Sequence, residues 1–103
     1  MHVHIAKLAI GIGTADDLIQ RLQPDLVPPT STAAGFIAYY NVKQDDSTVF
    51  SIRAFTDLNS LSAQTQATGQ TQATIASDFG LTVEQVLDGD VGTGVAFART
   101  EIP

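Results

Sequence analysis

The chain has 103 residues, a net charge of −6 and five cations, Lys7, Arg21, Lys43, Arg53 and Arg99. Nucleic-acid binders and anionic membrane surfaces both call for a basic stripe, so this composition disfavours either partner. The absence of cysteine rules out disulfides, thiolate catalysis and zinc–thiolate sites, and fits a cytoplasmic protein.

At this length one domain over 1–103 is expected, with enough apolar residues to bury a core. His2 to Ile12 is β-branched and apolar, which predicts a strand closing at Gly11-Ile-Gly13. Lys7 and His4 interrupt it, and its apolar run is too short for a signal core or a membrane span. Thr14 then reads as an N-cap, with Asp16 and Asp17 in the first turn and Leu18, Ile19 and Leu22 as the apolar stripe. Pro24 ends or kinks that helix, and Pro28-Pro29-Thr-Ser-Thr reads as a loop.

Residues 35–43 and 48–56 predict a hairpin turning at Gln44-Asp-Asp-Ser47. A proline-free stretch from Asp57 to Phe79 predicts a helix, with Gly80 beyond its end. Within it QTQAT occurs at 64–68 and again at 70–74. A six-residue offset puts the copies on different helix faces, so a solvated polar helix is preferred over an interaction surface. Thr82 to Gln85 suits a capping box on one short turn, Asp88-Gly-Asp90 breaks it, and Val91 to Thr100 reads as the last strand. The order β-α-β-β-α-β predicts an α+β, ferredoxin-like sandwich on a four-stranded antiparallel sheet.

Strand parity divides the sheet into two faces. In the hairpin, Phe36, Ala38, Tyr40 and Val42 match Phe50, Ile52 and Ala54, and this even set is expected against the helices with Ala6, Leu8 and Ile10. The odd set would then hold Val3, Ile5, Ile37, Val49, Phe55, Val95 and Phe97 with no helix to cover them. Such a broad apolar face marks an interface, and a homodimer is the expectation. Four of the five cations, Lys7, Lys43, Arg53 and Arg99, fall on this odd face, among Tyr39, Asn41 and Ser51.

Gly35-Phe36-x-x-Tyr39-Tyr40 entering a strand, then Asp46, Val49-Phe-Ser-Ile52, Phe55 and Asp57, resembles the dimeric α/β-barrel superfamily, which includes the antibiotic-biosynthesis monooxygenase-like proteins. That resemblance implies two sheets paired face to face, with a ligand-sized cleft in each half. It also implies activities that range from cofactor-free oxygenases to haem-degrading enzymes and isomerases. The chain has no tryptophan, so the Asn/Trp/His set of the haem-degrading members is incomplete.

Among the candidate motifs, His2-x-His4 could hold a metal only with a third ligand from elsewhere, and solvated histidines are the simpler reading, so no metal site is assigned. Gly11-Ile-Gly13-Thr14 lacks the third glycine of a dinucleotide loop and reads as a turn before an N-cap. Asp88-Gly-Asp90 lacks the oxygen ligands of a calcium loop, and neither Asp16-Asp17 nor Asp45-Asp46 is an opposed acid–base pair. No catalytic residue is identified and no cofactor is expected. The candidate substrate-binding residues are Lys7, Tyr39, Asn41, Arg53 and Phe55. Arg53 and Lys7 would neutralise an anionic or enolate-like group of a small aromatic ligand, and Tyr39 and Asn41 would orient it. The expectation is a small-molecule-binding protein or a cofactor-independent, monooxygenase-like enzyme. The rival is a non-catalytic dimeric module.

Overall fold

β-Branched and apolar residues favour extended backbone, and His2–Ala9 forms strand β1 of the computed structural model, which describes residues 1–93. The chain then turns at Gly11, where the backbone N–H donates to Phe79 O at 3.0 Å. A Cβ on Gly11 would meet Gly80 O at 2.9 Å, so glycine is what permits this approach. Thr14 caps helix α1 (Ala15–Asp25) as expected: its hydroxyl accepts from Asp17 N, and the Asp17 carboxylate accepts from Thr14 N.

Pro28 and Pro29, expected in a loop, lie in the short helix α2 (Val27–Ser31). A missing N–H costs nothing in the first turn of a helix, which explains the difference. The hairpin is formed by β2 (Phe36–Asp45) and β3 (Thr48–Phe55). The expected single helix over 57–79 is broken at Thr68 into α3 (Leu58–Ala67) and α4 (Gly69–Phe79). Asp57 caps α3 by accepting from Ser60 N at 2.8 Å, and Gly80 ends α4 in the left-handed conformation at φ 56°.

The last strand is displaced from its expected place. β4 is Thr82–Asp90, so the short turn over 82–85 and the break at 88–90 are both corrected to strand. Residues 91–93 follow it, and the rest of the expected strand at 91–100, with Val95, Phe97 and Arg99, lies outside the described residues. Thr82-Val-Glu-Gln-Val carries helical and extended signals together, and the ladder to β1 over Thr82–Asp90 decides between them.

The sheet order is β2-β3-β1-β4, antiparallel at every junction, which is the ferredoxin-like α+β arrangement. The hairpin register matches even residues to even, as read: Tyr40 faces Ile52 and Val42 faces Phe50. The facing of the hairpin from Ala38 onward is the reverse of the expectation. Ala6 and Leu8 of β1 lie on the helix side as expected, and a register shift before Ala38 keeps Phe36 there beside Phe55. β1 pairs with β3 in an odd sum, His4 to Arg53, Ala6 to Ser51 and Leu8 to Val49. The even residues of β1 therefore share the helix side with the odd residues of the hairpin. Val49 joins Ala15, Leu18, Leu22, Leu26 and Ile75 in the core. Phe55 is fully buried with Phe36 edge-on to it, their centroids 5.9 Å apart. The opposite face carries Val3, Ile5, Phe50 and Ile52, half-buried, with Tyr40, Val42 and Leu87 exposed. An apolar face remains open, but it is built from the other hairpin parity.

Candidate functional site

The helix side of the sheet and the helices above it enclose a cavity of about 370 Å³. Leu18 and Leu22 of α1, Ile75 and Ala76 of α4, Leu8 of β1 and Val83 and Val86 of β4 give it apolar walls. Its polar lining comes from His4, Tyr39, Ser51, Arg53, Thr30, Gln64 and Gln72. This volume lies at the lower end of the range for small-molecule sites. His4, Arg53 and Gln72 also line an adjoining, shallower hollow of about 430 Å³, together with Asp88 and Thr65.

Register explains how these polar residues meet. Tyr39 pairs with Arg53, Arg53 with His4, and His4 with Asp88. Residues directly opposite each other in a ladder project to the same side. One transverse row, Tyr39–Arg53–His4–Asp88, therefore crosses all four strands on the helix side.

Arg53 is half-buried, and its Nη1 donates to Gln64 Oε1 at 2.5 Å and to Thr65 Oγ1 at 2.9 Å. Both acceptors are neutral, and among the described residues no carboxylate lies within ion-pair distance of it. Burial holds its pKa below the ordinary guanidinium value, while Tyr39 and Asp88 raise it from a distance. Gln64 is itself buried, and its amide donates to Thr30 Oγ1 at 3.0 Å and Thr68 Oγ1 at 3.1 Å. Gln72 Nε2 donates to the same Thr68 hydroxyl at 2.7 Å. The QTQAT repeat is thus not a solvated helix face. Its first copy supplies Gln64, Thr65 and Thr68 to a buried polar network, and its second supplies Gln72 and Ala73 to the cavity wall.

The five sequence-selected residues separate. Tyr39 and Arg53 line the cavity. Asn41, opposite Ser51, shares their face, and its Oδ1 is buried without a hydrogen-bond partner among the described residues. Phe55 lies on that face too but fills the core beside Phe36. Lys7 pairs with Phe50 on the opposite face and reaches Glu84 at 3.9 Å, so it is not beside Arg53. Lys43 sits at the hairpin end with Asp16 and Asp46.

The two histidines, read from the sequence as solvated, are instead paired with carboxylates of β4, and His2 is buried. His2 Nδ1 meets Asp90 Oδ1 at 2.9 Å, His2 Nε2 makes a short hydrogen bond to Asp88 Oδ1, and His4 Nδ1 lies 3.4 Å from Asp88 Oδ2. The bond to Asp90, then that to Asp88, raises the His2 pKa, and His2 in turn holds the Asp88 carboxyl below its usual range. The period-two spacing of His2-x-His4 and Asp88-x-Asp90 was the available signal, but it acquires meaning only once β4 is placed beside β1. Among the described residues no group of three or more His, Asp or Glu side chains is arranged to hold a metal ion, and no helix is long and apolar enough to cross a membrane.

No family model matches the chain, and no curated protein matches it. Solved structures do. A protein described as an antibiotic biosynthesis monooxygenase from Deinococcus radiodurans superposes with a TM-score of 0.75 at 16% identity, covering 96% of this chain and 100% of that one. SnoaB, a cofactor-independent oxygenase from Streptomyces nogalater, gives 0.75 at 11% identity over 91% and 95% of the two chains. A variant of MhuD with two manganese protoporphyrin IX molecules bound per active site gives 0.65 at 16% identity over 94% and 100%. The chain therefore has the ferredoxin-like fold of the antibiotic-biosynthesis monooxygenase-like proteins. At these identities the likeness is one of fold.

Proposed function

We propose that the chain binds a small, largely apolar molecule carrying an anionic or enolisable oxygen, in the cavity between sheet and helices, and acts on it without a cofactor. The observation that carries this reading is Arg53: a half-buried guanidinium at the polar end of an apolar cavity, bonded to two neutral oxygens. A charge withdrawn from water is costly unless an opposite charge compensates it. A ligand oxyanion would supply that charge, with Tyr39 beside it, while Asn41 shares their face but does not line the cavity. Lys7 and Phe55 drop out of the proposed site because of where they lie. The oxygenase half of the reading leans on the shared fold with SnoaB.

The protein acts as a homodimer joined through the open sheet face. Phe50, Ile52, Tyr40 and Val42 on that face form an apolar surface of the breadth that usually marks an interface. The same surface favours the second reading, a non-catalytic dimeric module.

A thermal-shift screen of aromatic carboxylates and phenols, followed by oxygen uptake with any hit and no added cofactor, tests the proposal. Stabilisation by an anionic aromatic with oxygen uptake supports both halves. Stabilisation without uptake leaves a binding protein, and no stabilisation by any anion favours the non-catalytic module.

A further inference from the structure

We propose that His4, oriented by Asp88, is the general base of the cavity, taking the proton from a phenol or enol whose oxygen lies beside Arg53. This rests on the cavity being a ligand site.

Imidazole is the side chain best suited to accept and return a proton near neutral pH, provided that one nitrogen is held and the other is left to face the substrate. His4 meets those conditions. It lines both the cavity and the adjoining hollow, and it stands between Arg53 and Asp88 in the transverse row. Neighbouring strands lie about 4.8 Å apart, so base and cation can act on one ligand atom. Nδ1 is turned to Asp88 Oδ2 at 3.4 Å, and Nε2 has no hydrogen-bond partner among the described residues.

Asp88 is fixed from its other side. Its Oδ1 accepts from His2, which is buried and also bonded to Asp90. Asp88 thus remains a carboxylate and selects the His4 tautomer with the proton on Nδ1 and the lone pair on Nε2. In the transfer, the ligand O–H bond breaks and its electron pair stays on the oxygen, which becomes an anion facing Arg53. The proton passes to His4 Nε2, and the resulting imidazolium faces the Asp88 carboxylate. Asp88 is a positioning residue in this scheme.

4-Nitrophenol, whose phenolate absorbs in the visible while the phenol does not, is the probe. It is titrated into the full chain in a buffer more acidic than its own pKa, and affinity and phenolate band are read together. Wild type is expected to bind it as phenolate. His4→Gln is expected to keep the affinity within a few-fold while the bound phenolate-to-phenol ratio falls about tenfold, the change equivalent to one pKa unit. Asp88→Asn should move the ratio in the same direction. A cross-strand pin without a role in proton transfer would lower the melting temperature of these variants and leave the ratio unchanged.

Binding to wild type as phenol, or an equal phenolate ratio in His4→Gln, overturns the assignment of the base and leaves the cavity reading standing. No binding to wild type overturns both. Should His4→Gln fail to fold, the ratio in Asp88→Asn decides, and equality with wild type there overturns the proposal.

Discussion

The guanidinium of Arg53 donates to the side-chain oxygen of Gln64 at 2.5 Å, tying the middle of β3 to the first turns of the broken helix. Gln64 is buried, and its amide nitrogen serves Thr30 and Thr68 as well. Gln64→Leu keeps similar bulk but leaves the Thr30 hydroxyl and one guanidinium bond without their partner, while Thr68 keeps its bond from Gln72. A loss of about 1–3 kcal/mol is expected, the cost of unsatisfied buried polar groups. Urea denaturation of wild type and variant measures it, and a change within a few tenths would mean that water replaces the amide.

Phe55 and Phe50 are expected to respond differently. Phe55 is fully buried against Phe36, so Phe55→Ala should cost about 3–5 kcal/mol at any protein concentration. Phe50 lies on the open face, opposite Val42. Phe50→Ala should instead make the melting temperature depend more steeply on protein concentration, as loss of an interface contact does. A large, concentration-independent loss in Phe50→Ala would put it back in the core.

These two residues also mark what the sequence could reveal. Parity found two alternating sets in the hairpin and matched them correctly, even to even, between Ala38 and Lys43, while the shift before Ala38 sets Phe36 opposite Phe55. It could not choose which set faced the helices, because both are apolar: Phe36, Tyr40, Phe50 and Ile52 on one side, Ile37, Val49 and Phe55 on the other. The choice comes from the odd-sum register between β1 and β3, a relation between segments some 45 residues apart that no local pattern carries. Thr14 and Gly80 were legible because a cap is a local device, whereas the cap at Asp57 went unread. β4 was misplaced because its Asp88-Gly-Asp90 end has the composition of a turn, and only the His2 and His4 side chains of β1 give those aspartates partners in a sheet. Within the candidate site, parity grouped Tyr39 with Arg53 but set their face away from the helices, and the β1–β3 register turns it toward them. Gln64 and His4 were missed, one hidden in a polar repeat and the other set aside for its place near the N-terminus.

The His2 clamp gives a pH dependence of definite sign. Its folded pKa is raised by Asp90 and Asp88, so its contribution is complete below about pH 6.5, the unfolded value, and is lost as pH rises through the folded one. Asp88 is shifted the other way. Its contribution is present above about pH 4 and is lost as pH falls through its depressed folded value. Above about pH 6.5, wild type should therefore lose melting temperature that His2→Asn does not, and the two profiles should converge on the alkaline side. Parallel profiles would contradict the clamp.

The open face leads to a test of association. Ile52 sits at its centre, opposite Tyr40 in β2 and Ile5 in β1. Ile52→Asp would bury an unpaired charge in the interface while leaving the helix-side core untouched. Sedimentation at micromolar concentration should give about twice the 10.9 kDa chain mass for wild type and a single chain mass for the variant. A monomeric wild type would remove the dimer from the account.

The central claim is that Arg53 receives an anion, and calorimetry on wild type and Arg53→Met with the best anionic aromatic from the screen tests it most directly. Met retains much of the apolar stem and removes the charge. Arg53→Met is expected to remain folded and to bind at least about tenfold more weakly, about 1.4 kcal/mol. Equal affinity for the two proteins would contradict the claim and leave Arg53 as a structural partner of Gln64 and Thr65.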